Sequence, residues 1–225
     1  MRRVTGKQVV DTSAADFDEL VSRHEGVVLD VGTGDGKHAY HVARRRPAEL
    51  VVGLDAAKDN LRRIAAKAAA KPAKGGVSNL LYVWAGVERL PAELHSVTEV
   101  HVLMPWGSLL RGMLGSDLTM LRDLAAVCVP NAEFLITLNL HAWRPAVPEV
   151  GTHPEPTPAS ALRDLAPVLA AQRWRLDEAD YLDAEEIDAL ATSWTRRLNS
   201  SRDQLDVLAL RGVINARDAG GGDGA

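Results

Sequence analysis

Five apolar runs punctuate the first two thirds of the chain: VVLDV (27–31), LVVGLD (50–55), LLYVW (80–84), VTEVHVLM (97–104) and AEFLITLNL (132–140). Three intervening segments, KHAYHVARRR (37–46), KDNLRRIAAKAAAK (58–71) and DLTMLRDLAAVCV (117–129), place apolar residues at helical spacing instead. This alternation predicts a parallel sheet with right-handed crossovers and helices on both faces. Ligands of such sheets bind beyond the carboxyl ends of the strands. The flanks read differently. Short alternating segments around Thr5-Gly6-Lys7 predict an N-terminal hairpin, and residues 13–24 a helix capped by Ser13. After a Pro-rich stretch (144–158) come a helix near 159–170 and two strands, QRWRLDEADYL and DQLDVLALRGVI. These last two suit the antiparallel pair that closes an otherwise parallel sheet.

At 225 residues and 46% apolar content the chain can bury one core. The expectation is a single domain over 1–213, with a hairpin extension at 1–12, insertions at 141–160 and 184–203, and a disordered Gly-rich tail at 214–225. Net charge is −4, weak evidence against a nucleic-acid partner, because the charge is segregated. Residues 1–75 carry 14 Lys/Arg against 10 Asp/Glu, whereas 177–188 carry seven acids and no base. The lone Cys128, set in a helical pattern, excludes an internal disulfide and suits a reducing compartment. No apolar run of about 18 residues and no cleavable leader are seen, so the expected setting is cytoplasmic, without membrane association.

DVGTGDGKHAY (30–40) follows the first parallel strand. Gly32, Gly34 and Gly36 form G-x-G-x-G rather than the G-x-G-x-x-G of dinucleotide sites, and Lys37-His38 is not a P-loop ending. Asp30 and Asp35 would repel a pyrophosphate but tolerate the sulfonium and ammonium of S-adenosylmethionine. Asp55, ending the second parallel strand, can accept both ribose hydroxyls of either cofactor. Ala85 and Glu88 in WAGVERLP are candidates for the adenine end. A tight strand-to-helix turn without a ligand is the plain alternative.

Five tryptophans stand out against two phenylalanines and three tyrosines. Trp106, flanked by Pro105 and Gly107, follows the fourth parallel strand; Trp194 lies among Thr192, Ser193, Arg196 and Arg197. A core role for each is as plausible on size alone, but these neighbours suit a flat polar ligand and phosphates better. His38, His41, His101 and His141 have no Cys partner at metal-ligand spacing, so no metal is expected.

DVGTGDGKHAY, HVLMPWGSLLRG, LNLHAWRPAVPEVG and TSWTRRLNSSRDQLDVLAL together resemble the kanamycin-apramycin resistance methyltransferases, enzymes that modify N1 of adenine 1408 in 16S ribosomal RNA. The resemblance runs to about residue 213; PWGSLLRG and SWTRRLNSSRD are its specific motifs. It implies an α/β class I methyltransferase fold, Rossmann-like, with seven mostly parallel strands and an antiparallel last strand. It further implies S-adenosylmethionine as donor and the 30S subunit, at the 16S rRNA decoding region, as partner. Asp30, Gly32, Asp55, Glu88 and Ser108 resemble the family's cofactor contacts, and Gly34, Ala85 and Met104 complete the expected set. Trp106 and Trp194 resemble its two target-base stackers, with Ser193 positioning base or cofactor and no general base needed. Lys67, Lys71, Lys74, Arg197 and Arg202 resemble its rRNA-docking residues. A monomer is expected. Competing readings are a methyltransferase of tRNA or of a small molecule, a catalytically silent RNA-binding or antibiotic-sequestering protein, and, more remotely, an NAD-dependent dehydrogenase.

Overall fold

The computed structural model describes residues 1–6, 8–192 and 206–215. Two strands, β1 (Arg2–Thr5) and β2 (Gln8–Asp11), form the expected hairpin. The helix α1 (Ala14–Ser22) follows, its start fixed by a reciprocal pair: Ser13 accepts from the Asp16 amide and Asp16 from that of Ser13. The alternating body then runs β3 (Val27–Val31), α2 (Lys37–Arg45), β4 (Leu50–Asp55), α3 (Lys58–Ala68), β5 (Leu80–Trp84), β6 (Val97–Leu103), α4 (Gly107–Met113), α5 (Leu118–Ala126) and β7 (Cys128–Asn139). Helical turns at Pro158–Ala170, comprising α6 (Pro158–Ser160), a π turn (Ala161–Leu165) and α7 (Ala166–Ala170), lead to β8 (Trp174–Tyr181), α8 (Ala184–Ala189) and β9 (Val207–Ile214).

The strands form one sheet in the order β2-β1-β5-β4-β3-β6-β7-β9-β8. Strands β5-β4-β3-β6-β7 are mutually parallel, and β9 runs antiparallel between β7 and β8. Seven strands therefore have the expected arrangement. The hairpin is more than an appendage: β1 pairs antiparallel with β5, extending the sheet to nine described strands.

Both faces are covered, as the near-continuous apolar strands require. Leu29, Val52, Val100 and Ile136 pack with Phe17, Leu110, Leu121 and Leu165 on one face. Their neighbours Val28 and Val51 point the other way, against Ala39, Val42, Leu61 and Ala65 of α2 and α3. A third cluster places Ile187 and Leu190 over Leu103, Met104 and Val207. Trp174 is wholly buried, its indole N–H donating to the Leu121 carbonyl at 2.9 Å.

Two expectations are corrected. Cys128 is the first residue of β7, paired with Val97, and α5 ends at Ala126. Pro130 lies within that strand because the register slips there: Val97 faces Cys128 and Glu99 faces Glu133, so the extra residues, with Asn131 at φ +60°, bulge out and need no ladder donor. The expected tail also starts too early. Ile214 is fully buried in β9, and the Asn215 amide donates to the Ala125 and Cys128 carbonyls. Residues 216–225 lie outside the described residues.

Candidate functional site

The carboxyl ends of β3, β4, β5 and β6 open onto a cavity of about 480 Å³. Its floor is the turn after β3, where Gly32, Gly34 and Gly36 take φ of +68°, +59° and +71°, a region that disfavours any side chain. Gly36 begins α2, and a Cβ there would lie 2.5 Å from the Tyr82 ring. The Tyr82 hydroxyl donates to the Gly36 carbonyl at 2.6 Å, locking the turn onto β5. Gly34 has no atom within 4 Å of a Cβ position, so its bare backbone faces the cavity.

The ionisable walls are acidic. Asp30, Asp35, Asp55 and Glu88 line the cavity, His38 joins them, and among the described lining residues there is no Lys or Arg. Asp30 is buried and accepts from the Thr33 hydroxyl. Asp55 accepts from the Gly34 amide at 2.8 Å through Oδ2 and from the Ala57 amide at 2.7 Å through Oδ1. Each oxygen therefore keeps one acceptor direction for a ligand hydroxyl, and the carboxylate also organises the turn. Burial raises the Asp55 carboxyl above its ordinary value against those two N–H bonds, and the Asp30 charge pushes the same way. Glu88 accepts from the Ser108 hydroxyl at 2.6 Å, which lowers its carboxyl. Asp35 pairs with Lys37 at 2.6 Å.

Met104 holds φ +47°, its amide bound by the Thr137 carbonyl and hydroxyl at 2.9 and 3.0 Å. The strand is thereby bent so that Pro105, Trp106 and Ser108 reach the cavity. Trp106 is 48% exposed at that mouth, an unusual situation for an indole in a folded domain. Thus Asp30, Gly32, Gly34, Asp55, Ala85, Glu88, Met104, Trp106 and Ser108, spread over 79 positions of sequence, line one cavity. Thr192, read from sequence as a neighbour of a ligand-facing Trp194, lines it too, as does His38, which sequence reasoning gave no role there; its one signal was its position two residues beyond Gly36.

Lys67, Lys71 and Lys74 are all exposed on the segment between β4 and β5, with the Lys67 ammonium 4.5 Å from the Tyr40 ring centre. Ser193, Trp194, Arg197 and Arg202 lie outside the described residues. Among the described residues, no group of three or more His, Cys, Asp or Glu could hold a metal ion, and no helix is long and apolar enough to cross a membrane.

A doubly wound sheet of this order, with a bare glycine turn and a cavity lined, among the described residues, by acids and no Lys or Arg, suits a ligand that is itself cationic and rich in hydroxyls. Four carboxylates would repel a pyrophosphate, whereas they favour a sulfonium and an ammonium. Fold and site together define a class I S-adenosylmethionine-dependent methyltransferase. Residues 2–213 match the NpmA family of 16S rRNA (adenine(1408)-N(1))-methyltransferases. A protein of that name from Streptoalloteichus hindustanus is 65% identical over 215 residues, 96% of this chain and 100% of the relative. Another from Escherichia coli is 30% identical over 88% of this chain and 91% of its own. The crystal structure of the 16S rRNA methyltransferase KamB is 64% identical and superposes with a TM-score of 0.92, covering 95% of this chain and 99% of that one. A Catenulisporales acidiphilia 16S rRNA (adenine(1408)-N(1))-methyltransferase variant, solved with its cosubstrate SAM, is 36% identical with a TM-score of 0.88, over 98% and 99%. The chain belongs to the NpmA family of 16S rRNA (adenine(1408)-N(1))-methyltransferases.

Proposed function

We propose that this chain methylates N1 of adenine 1408 of 16S rRNA in the assembled 30S subunit and so confers aminoglycoside resistance. The names carried by its relatives support the reaction, and the observation that carries the reading in this chain is the exposed Trp106 at the mouth of the acid-lined cavity. Bound there, S-adenosylmethionine supplies an electrophilic methyl group on a cationic sulfur. Gly32 and Gly34 would offer bare backbone to it, Asp55 its two remaining acceptor directions, and Asp30 its negative charge. Ala85, Glu88, Met104 and Ser108 would enclose the adenine end.

The target adenine must leave its stack, at a cost of a few kcal/mol. An indole face returns about 1–3 kcal/mol per stacked base, so Trp106 with Trp194 as a second stacker, and Ser193 beside it, matches that cost. Adenine N1 already carries a free lone pair, so no side chain need remove a proton. Alkylation makes the ring cationic, and indole faces stabilise that charge by about 0.5–2 kcal/mol, more in the transition state than in the neutral base. Lys67, Lys71 and Lys74, with Arg197 and Arg202, would dock on rRNA phosphates. The insertions at 141–160 and 184–203 form the substrate-recognition side of a single methyltransferase domain, acting as a cytoplasmic monomer.

Primer extension on 16S rRNA from cells expressing the protein tests this. A reverse-transcriptase stop at adenine 1408, lost with a Trp106→Ala variant, is expected; an unmodified adenine 1408 alongside methylated tRNA or a methylated small molecule refutes it.

A further inference from the structure

A chain of polar side chains leaves the cavity and runs between α2 and β6 along one face of the sheet. His38 Nδ1 lies 2.6 Å from the Leu190 carbonyl, and His38 Nε2 lies 2.9 Å from His101 Nδ1. His101 Nε2 lies 2.6 Å from a Glu99 carboxylate oxygen, and the other Glu99 oxygen takes the Arg46 guanidinium. His38 and His101 are 7% and 5% exposed.

The hydrogen pattern of this chain is fixed by its ends. A carbonyl only accepts, so His38 Nδ1 must carry a hydrogen. An ionised carboxylate also only accepts, so His101 Nε2 must carry one. The contact between the rings needs one more. Burial disfavours charge on His38, and the Leu190 carbonyl accepts from its Nδ1. His38 is thereby held in its Nδ1–H form, aimed at Leu190.

Leu190 closes α8, and the last carbonyls of a helix have no partner within it. The chain then turns left-handed at Ala191, φ +52°, and Thr192 lines the cavity that Trp106 flanks. We infer that His38 is a positioning residue for methyl transfer, its His101-fixed Nδ1–H holding the Leu190 carbonyl and thereby setting Thr192 on the cavity wall. This inference rests on the methyl-transfer reading above.

Two substitutions separate the halves of the device. The amide nitrogen of Asn can replace Nδ1, whereas the amide of Gln reaches only the Nε2 position; H38N keeps the bond to Leu190 and H38Q the bond to His101. On 30S subunits, kcat of H38Q should fall by about tenfold, the worth of one buried hydrogen bond, while its calorimetric affinity for S-adenosylmethionine stays within about twofold of wild type. H38N should recover most of that kcat. Equal loss in both variants, or affinity falling in step with kcat, overturns the inference. Nitrogen-15 shifts of the His38 ring in the unaltered protein decide it if either variant fails to fold: a protonated Nδ1 is expected, and a bare Nδ1 refutes the scheme. Wild-type protein that leaves adenine 1408 unmodified would be a failure of the functional reading, and the ring shifts would still test the hydrogen pattern.

Discussion

Replacing Glu99 with Gln should weaken the fold at neutral pH and weaken it progressively less as the pH falls toward 2. Burial alone would raise the Glu99 carboxyl, but hydrogen bonds from His101 and Arg46 outweigh it and hold the group at about 2 against an ordinary 4.5. Each pH unit of that depression corresponds to about 1.4 kcal/mol. Allowing for the 18% of the side chain that reaches solvent, the ionised carboxylate contributes about 2–3 kcal/mol. The sign follows from linkage. Because the native value lies below the unfolded one, this contribution is complete above pH 4.5 and drains away as the pH falls toward 2. Urea unfolding of wild type and E99Q, run from about pH 7 down to about pH 3.5, reads the difference directly, with the slope against urea unchanged. A gap of about 2–3 kcal/mol at neutral pH that narrows below pH 4.5 is expected. A gap that ignores pH, or stays below about 0.5 kcal/mol throughout, would show that the pair geometry around Glu99 is energetically idle.

Trp106→Ala should lower methylation of 30S subunits by about tenfold or more while calorimetry finds S-adenosylmethionine affinity nearly unchanged, since a stacked base is worth about 1–3 kcal/mol. Burial raises the Asp55 carboxyl, and ligand hydroxyls favour its ionised form, so acid works against the site. Cofactor affinity should therefore weaken as the pH is lowered, and Asp55→Asn should bind more weakly with that slope abolished. Lys67→Glu should reduce 30S affinity and lower the slope of log K against log salt by about one or more, in a filter-binding titration; an unaltered slope would make Lys67 an ordinary solvated residue.

The locally encoded parts of this fold were legible. Strand and helix periods, the Ser13 cap and the glycine turn each depend on residues within a few positions of one another, so composition and spacing carry them. Sequence reasoning stumbled where a distant partner decides the outcome. LRDLAAVCV has helical spacing throughout, yet Cys128 belongs to β7 because Val97 recruits it, and the register slip that tolerates Pro130 exists only once β6 is alongside. The β1–β5 pairing and the anchoring of Asn215 are of the same kind. Asp55 shows the limit within the site itself: its place at the end of β4 was readable, but not that both its oxygens would also hold amides of two different loops.

The least legible layer is the one that ties the recognition side to the sheet. His38 and Leu190 are 152 positions apart, and Arg144 bridges Glu155 and Asp206, the second 62 positions away. No periodicity links such pairs, and a histidine two residues past a glycine loop looks the same in sequence whether it faces water or a helix end. Their placement nevertheless follows a physical rule. Leu190 and Asp206 bracket the interval that carries Trp194, and each is bound by a side chain from a different element, α2 in one case and the 141–160 insertion in the other. Holding Leu190 and Asp206 from two separate elements fixes where the interval between them starts and ends relative to the cavity. Rigid apolar strands set the cofactor pocket through local rules, while a few long-range polar ties set the reach of the recognition segment, so activity on the ribosome should be more sensitive to His38 and Arg144 than cofactor affinity is.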